Sequence, residues 1–509
     1  MRHFICESRV PMRICGALSA FFLMSGCHSG QKSAGVASGP GNGATTDSAP
    51  AAFFTPPGAV YDVKYTANTV RIDLPTVQKA LKSVSSDGRI FVFDASDPQV
   101  HSIAAGKVMF LEHIGVLRVT GVANKDGQVV VATAPAGLTD FIQDGKIQFS
   151  MPVDFRRMRS GMVHEPTWPS FLPTLGGWLG PLEPVYASGG GTPGLIGLST
   201  NGQSNGWNYT VSGSAGGDAL SLSLDAGKDI GGMTVKIGAQ GSLSNINTEF
   251  TAVIQGGKVS SFDYQTPLKG KLHVTWAVLI SGDNGGIGEA RLQLPPLAKD
   301  VIDVYGLPLL FKVDEALIFK PGFGGKHDAA QGGFDLTFDG NGGLSLQGAQ
   351  KSAEGKMNAQ PSLEKTTAES LAAHGVVLAI NAPKVSVSLG TDSIKEAIQS
   401  VVPSALLDKG ADMLKGALNS LGLNGAMQPA SDDFFNVQGS AYVQLVTEFD
   451  YTGSGPLSIV PCSLTHLNFY GQAGAGAQLL ALQAQSPSVN FNETKQTFRE
   501  PDIDACGQK

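Results

Sequence analysis

The amino-acid sequence predicts a mainly β protein, in which a small β domain precedes a large antiparallel sandwich or open, curved barrel with a short helical insertion. Long segments alternate apolar and polar residues, which is the pattern of strands with one buried face. Asp-Gly and Gly-Gly pairs of the kind that form tight hairpin turns separate these segments. The chain of 509 residues also contains 65 glycines and only 16% charged residues, a composition typical of β proteins that work outside the cytoplasm.

The first 27 residues have the layout of a targeting segment rather than of a folded element. Three arginines precede an uncharged apolar run over residues 14–24, which is too short to cross about 30 Å of hydrocarbon. The sequence Leu23-Met24-Ser25-Gly26-Cys27 at its end resembles the lipobox of bacterial lipoproteins, with Met24 where the family usually has Leu or another aliphatic residue. That resemblance implies cleavage after Gly26, a lipid on the Cys27 thiol and acylation of the new amino group.

We therefore expect residues 1–26 to be a lipoprotein signal peptide and residues 27–57 to be a flexible tether, because so polar a stretch cannot bury enough apolar surface to order itself. A membrane is then a partner through the N-terminal lipid. His28 follows the cysteine where Asp would direct sorting elsewhere, which favours the outer membrane of the cell envelope and leaves the membrane face open. The alternative is a secreted protein in which Cys27 is incidental.

Charge and cysteine content restrict the remaining partners. The formal net charge is −7, and no stretch is strongly basic, so nucleic acid is not an expected partner. Beyond the signal peptide and Cys27, only Cys462 and Cys506 remain. One pair in an oxidising compartment predicts a disulfide between them. Free buried thiols or a metal pair are the alternatives, although no His or Cys lies at ligand spacing from either cysteine.

Residues 58–155 predict a small β module. Its apolar runs are separated by turn sequences, and Pro75 suits the start of a short helix over residues 76–84. The segment resembles an uncharacterised module of large bacterial surface and secreted β proteins, which implies a small β domain without known catalytic residues. The residues that carry the resemblance are Val77-Leu81, Asp87-Gly88, Gly106-Lys107-Val108, Leu117-Arg118-Val119-Thr120, Val129-Val130-Val131 and the stretch 133–138.

The next segments predict one large β domain with a strap before it. Residues 156–206 are rich in Pro, Gly and Trp, and we expect an ordered strap that lies across the second domain. Residues 207–390 predict antiparallel strands, with plain alternation around Leu220, Phe334 and Val385. Further turns are predicted at residues 255–257, 283–285 and 339–341.

Helical periodicity occurs at residues 362–374 and as a helical pair over residues 391–424, which Pro403 should divide. We expect the apolar face of the pair to dock on the sheet. Gating a hydrophobic cavity, or lying on a membrane, are the alternatives. Residues 425–509 return to strand patterns and are expected to complete the β domain, with the disulfide at its end.

One short motif invites a catalytic interpretation. Gly202-Gln203-Ser204-Asn205-Gly206 matches G-x-S-x-G, the nucleophile elbow in which a strand precedes the serine and a helix follows it. Here the residues after the motif are strand-like, which favours a turn. No metalloprotease, thiol-redox or phosphate-loop motif accompanies it. We therefore predict no catalytic residues, no metal site and no cofactor.

The expected function is a non-catalytic binding or structural role at the cell envelope, toward an envelope polymer, a protein or an apolar ligand. The first alternative is a carrier that holds a lipid or other apolar ligand in an internal cavity beside the helical pair. The second is a serine hydrolase that uses Ser204. Carbohydrate binding would need a row of exposed aromatic side chains, for which Trp168, Trp178 and Trp207 are the nearby candidates.

Overall fold

A computed structural model describes residues 54–85, 87–155, 196–230, 232–280, 286–287, 289–294, 296–323, 328–348, 350–370, 374–391, 440–454, 462–476, 479–480 and 488–501. Several sequence predictions lie outside these described residues. They are the signal peptide with Cys27, most of the tether, Trp168 and Trp178, the turn at 283–285, nearly all of the helical pair, and Cys506.

The described residues form a mainly β structure with few helices, as the sequence predicts. The helices are α1 (Leu74–Ala80), α2 (Pro98–His101) and α3 (Leu138–Phe141). The strands are β1 (Val60–Tyr65), β2 (Thr69–Ile72), β3 (Leu81–Val84), β4 (Ile90–Asp94), β5 (Val108–Leu111), β6 (Gly115–Lys125), β7 (Gln128–Pro135), β8 (Ile142–Pro152), β9 (Ile196–Ser204), β10 (Trp207–Gly216), β11 (Ala219–Ile230), β12 (Met233–Ser244), β13 (Asn247–Gln255), β14 (Lys258–Ile280), β15 (Gly286–Ile287), β16 (Ala290–Gln293), β17 (Ala298–Val304), β18 (Leu307–Phe323), β19 (Ala329–Gln347), β20 (Gln350–Glu354), β21 (Met357–Leu363), β22 (Thr367–Glu369), β23 (His374–Leu389), β24 (Ser440–Gly453), β25 (Ser463–Ala475) and β26 (Ser488–Glu500).

The N-terminal module contains a sheet of its own, in the order β2-β5-β6-β7-β4-β3. Helix α1 starts at Leu74, two residues before the predicted start, with Pro75 in its first turn. The Asp73 carboxylate accepts a hydrogen bond from the Thr76 amide at 2.9 Å, an N-cap that satisfies an otherwise free amide. The helix ends at Ala80, four residues earlier than predicted, because residues 81–84 pair with β4 instead. The Asp126-Gly127 turn between β6 and β7 has positive φ at both residues, as a two-residue hairpin turn requires.

The module is joined to the large domain through its first and last strands. β1 pairs with β8, and β8 pairs with β13, so both belong to the 12-stranded large sheet rather than to the six-stranded one. Phe110 and Phe141 of the module also belong to the large hydrophobic core. Residues of the module therefore share a sheet and part of a hydrophobic core with the strands of the large domain.

The large sheet is organised around β14, a strand of 23 residues. One edge of β14 pairs with β13 and then with β12, which leads outward to β11, β10 and β9. The other edge pairs along almost its full length with β19, which also carries β20, β21 and β22. The predicted alternation holds on these strands, since Phe334, Leu336 and Phe338 are buried between exposed polar neighbours.

A second sheet of eight strands covers the inner face of the large one. It has the order β15-β18-β23-β24-β25-β26, with β16 and β17 also on β18. Aromatic side chains join the two sheets, since the Phe449 ring lies 5.7 Å from Trp276 and is stacked 5.8 Å from Phe334. The Tyr264 hydroxyl on β14 donates to the Val385 carbonyl on β23 at 3.4 Å. One continuous apolar core therefore lies between the two antiparallel sheets, which is the arrangement of a sandwich.

Three local predictions are wrong. The sequence 339–341 lies within β19 and is no turn. Its single glycine allows close packing instead, since a Cβ at Gly340 would clash with the Lys356 carbonyl oxygen. No helix forms among the described residues of 362–374, since pairing with β19 draws residues 362–363 into β21 and residues 367–369 into β22. The strap does not extend to residue 206, because residues 196–204 form β9.

Candidate functional site

The outer face of the large sheet carries rows of polar side chains that cross the strands. Strand pairing aligns five of them, one from each of β10, β11, β12, β14 and β19. They are Ser212, Ser223, Gln240, His273 and Asp335. Each alternates with a side chain that faces the core, so all five point away from the sandwich interior. The first row therefore offers hydroxyl, amide, imidazole and carboxylate groups along one line.

A second polar row runs parallel to the first, two residues along each strand. Its members on the same five strands are Ser214, Ser221, Ser242, Lys271 and Thr337. Between the two rows lie five residues that are either glycines or leucines whose side chains face inward. They are Gly213, Leu222, Gly241, Leu272 and Leu336. Only their backbone is left on the outer face between the two rows.

An open channel of about 560 Å³ lies between these rows. Its lining includes the whole first row, the second row except Ser242, and all five of the intervening residues. Val211 and Val274, whose side chains face the core beside the first row, do not line the channel. The channel therefore opens on the outer face of the sheet. Rows two residues apart are separated by about 7 Å, and crossing five strands gives a length of roughly 19 Å.

The channel walls carry several hydrogen-bonding groups, beside a larger accessible area of carbon atoms. Four serines, a threonine and a glutamine provide neutral donors and acceptors, and Lys271 provides an ammonium group. Beside the channel, Lys269 donates to the Asp339 carboxylate at 2.8 Å on the same face. Among the described residues, no Phe, Tyr or Trp side chain lines the channel, so a ligand would be held by polar groups and by contact with the backbone floor.

Three potential metal ligands meet at the β14–β19 end of the channel. His273 Nδ1 lies 3.0 Å from an Asp335 carboxylate oxygen and 3.5 Å from a Glu364 carboxylate oxygen. The donor atoms of all three lie within 4.8 Å of one another. The side chains of His273, Asp335 and Glu364 are 37%, 54% and 43% exposed, which leaves the cluster open to solvent.

Gly333 makes this meeting possible. The Glu364 amide donates to the Gly333 carbonyl at 3.0 Å, which fixes the backbone after β21 beside β19. A Cβ at Gly333 would lie 2.5 Å from a Glu364 carboxylate oxygen. The absence of a side chain at Gly333 therefore gives the Glu364 carboxylate its path across β19 toward His273.

Ser204 lies in a hairpin instead of a nucleophile elbow. It is the last residue of β9 and pairs with Trp207, the first residue of β10. Asn205 and Gly206 between them have φ of 51° and 81°, the signature of a two-residue type I′ turn. A strand follows the serine where the elbow requires a helix, so the geometry that this serine chemistry needs is not built here.

Of the other predicted site residues, Cys462 and Trp207 lie within the described part of the chain. Cys462 immediately precedes β25, and its amide donates to the Ser454 hydroxyl at 2.7 Å. Because Cys506 lies outside the described residues, the disulfide between them stays a prediction, as does lipidation of Cys27. Trp207 is fully buried, which removes it from the exposed aromatic set that aromatic-mediated carbohydrate binding would require. The helical pair over residues 391–424, and with it the predicted cavity, lies almost entirely outside the described residues.

Sequence reasoning missed both the channel and the three-residue cluster. His273 and Asp335 lie 62 residues apart in the chain, so no motif spacing signals them. Each follows an ordinary alternating pattern in which polar residues face solvent. Only the register between β14 and β19 brings the two residues together. The sequence of either strand alone does not specify its register with a distant strand.

Comparison with known proteins gives one partial match. A family model described as a domain of unknown function, DUF8403, matches residues 51–144, the segment from just before β1 to the start of β8. No curated protein matches the chain, and no solved structure does. None of the helices in the described part of the chain has the length and hydrophobicity needed to span a bilayer.

Proposed function

We propose that this protein is a lipid-anchored component of the bacterial cell envelope that binds an extended polar chain in the channel on its large sheet, without chemical conversion of that chain. The channel itself is the observation that carries the binding role, because it is open, elongated and lined by hydrogen-bonding groups. The lipobox and the polar segment that follows it support the anchored location. Lipid on Cys27 would bring the β domain to a membrane surface and let it reach a polymer nearby.

A glycan strand is the polar chain that the channel fits best. Peptides that bind sheets usually add a strand along an edge and use main-chain hydrogen bonds. This channel instead crosses five strands, whose main-chain groups already pair with one another. Its walls offer hydroxyl, amide and charged groups in two lines about 7 Å apart, which match the hydroxyl-rich edges of a linear sugar polymer.

Blocking the channel should weaken glycan binding while leaving the fold intact. We expect Ser212→Phe, which projects a ring from β10 into the channel, to weaken binding about tenfold or more. Co-sedimentation with insoluble cell-wall glycan, and with neutral insoluble polysaccharide, measures this. Thr210→Phe is the matched control, because Thr210 is exposed on the same face of β10 and does not line the channel. Equal binding by both variants, or none by the unmodified protein, would count against the channel.

Lipid anchoring is tested separately from binding. We expect the native protein to partition with membranes and to carry acyl chains on its N-terminal cysteine, since two or three chains hold a protein to a bilayer far better than one. The Cys27→Ser variant should appear in the soluble fraction. Mass spectrometry of the mature N-terminus identifies the modification, and an unacylated native protein that begins elsewhere would contradict the anchored location.

A further inference from the structure

We propose that His273, Asp335 and Glu364 form a binding site for a divalent transition-metal ion, of which Zn²⁺ is the ion the ligand set suits best. The site goes beyond the proposed glycan binding and does not depend on it, because its three ligands are all protein side chains. The sequence alone predicts no metal site, so the proposal rests on the juxtaposition that the fold creates.

The geometry of the three ligands is close to that of a coordination sphere. A zinc ion binds imidazole nitrogen and carboxylate oxygen at about 2.0–2.2 Å, so donor atoms on one ion are separated by roughly 3–4 Å. The two contacts of His273 Nδ1, at 3.0 and 3.5 Å, already fall in that range. The ligand atoms of all three residues lie within 4.8 Å of one another. Small rotamer changes, which these half-exposed side chains can make, would bring any wider pair to the separation that one ion requires.

Strand pairing holds two of the ligands in place. His273 and Asp335 are direct cross-strand partners in the β14–β19 ladder, and the side chains of such partners have Cβ atoms about 5 Å apart on the same face. Glu364 comes from the segment after β21, over the gap at Gly333. Two ligands on rigid strands and one on a shorter connection make a site that is largely formed before the ion arrives.

The chemistry of the donor set identifies the class of ion. Imidazole favours zinc, copper, iron and nickel, whereas Mg²⁺ and Ca²⁺ prefer sites made of oxygen ligands alone. One imidazole with two carboxylates therefore favours a transition metal over the alkaline earths. Three protein ligands leave the fourth position for water or substrate, as in open zinc sites. The cluster borders the channel, because His273 and Asp335 also form its wall.

The same three side chains could instead be a simple ion-pair network of a protonated histidine with two carboxylates. The two interpretations differ in their response to pH and to ions. An ion pair requires no metal and strengthens as the imidazole is protonated. A metal site requires the imidazole to be neutral, so its affinity falls as pH is lowered.

Titration calorimetry with ZnCl₂ on the purified full-length protein tests the proposal directly. We expect one zinc ion per chain, no competition from excess Mg²⁺, and weaker binding at pH 5.5 than at pH 7.5. His273→Ala and Glu364→Gln should each weaken binding about tenfold or more. Asp335→His should retain binding, because it replaces one zinc ligand with another.

The matched control is Asp339→Asn, which removes an exposed carboxylate on the same face of β19 that lies outside the cluster. Zinc affinity should not change in this variant. Optical spectra of the Co²⁺ form exclude binding by thiols, since thiolate ligands give a distinct charge-transfer absorption. Zinc affinity that is unaffected by His273→Ala and Glu364→Gln, or that is lost equally in Asp339→Asn, would overturn the site. Glycan binding is measured without added zinc, so failure of one proposal is distinguishable from failure of the other.

Discussion

Replacing Phe449 with alanine should lower the free energy of unfolding by about 3–5 kcal/mol, the usual cost of truncating a buried phenylalanine. Phe449 on β24 is fully buried and contacts Trp276 and Phe334, which belong to two paired strands of the opposite sheet. Truncation would leave a cavity at the point where the two sheets meet. Neither sheet could move into this cavity without changing the register of its strands. Urea unfolding followed by tryptophan fluorescence measures the change, with Trp276 as a reporter at the same position.

A control on the neighbouring strand separates this cavity from a general effect of shortening side chains. Val377 on β23 is 40% exposed, and Val377→Ala should change stability by no more than about 0.5 kcal/mol. Combining Phe449→Ala with Trp276→Ala should give less than the sum of the two losses, because residues in contact share their energy. Strict additivity, or a loss below about 1 kcal/mol for Phe449→Ala, would show that the two sheets do not pack at this point.

The strands and their buried faces could be predicted from sequence because period-2 alternation is a local property. Phe334, Leu336 and Phe338 identify the buried face of β19 without reference to any other strand. The glycines of the same strand could not be interpreted in that way. A Gly-rich stretch is typical of a turn, whereas at Gly342 it admits the Phe491 ring from the second sheet, which would lie 2.5 Å from a Cβ there. Close packing against a distant element has no local signature.

The candidate site could not be predicted for a related reason. Its rows exist only because β12, β14 and β19 pair in one particular register, which brings Gln240, His273 and Asp335 into line. A shift of one residue would send the entire polar set of one strand to the core face. The register is therefore set by the buried apolar pattern, and the polar line on the outer face is its consequence. The helix predicted over 362–374 is wrong on the same grounds, since pairing with β19 overrides a weak local periodicity.

Protein stability should fall as pH rises from about 5 to 8, through ionisation of Glu315. This residue lies on β18 where β23 has an extra residue, between the pairs Asp314–Lys384 and Ala316–Asn381. The residue as a whole is half-buried, and burial of the carboxyl group raises its pKa from 4.5 to about 7. Burial disfavours the charged carboxylate, because an apolar environment solvates it poorly.

The direction of the effect follows from which state holds the proton. Below pH 4.5 the carboxyl is protonated in both the folded and the unfolded chain, and the group makes no difference to stability. Between pH 4.5 and 7 the unfolded chain has lost the proton while the folded chain still holds it, so the free energy of unfolding decreases as pH rises. The decrease is complete well above pH 7, and it amounts to about 3.5 kcal/mol at 1.4 kcal/mol for each unit of the pKa difference.

Glu315→Gln should remove this dependence, because the amide is neutral at every pH. We expect the variant to have nearly the stability of the unmodified protein at pH 5 and to be more stable by about 2–3 kcal/mol at pH 8. Urea unfolding at a series of pH values measures the difference. Glu289→Gln is the control of opposite sign, since hydrogen bonds from Lys320 and Arg291 lower the pKa of this exposed carboxyl. Its contribution is present at neutral pH and lost in acid. Parallel pH profiles for the unmodified protein and Glu315→Gln would mean that the Glu315 carboxyl is ionised at little cost, and hence that β18 is open to water at the bulge in β23.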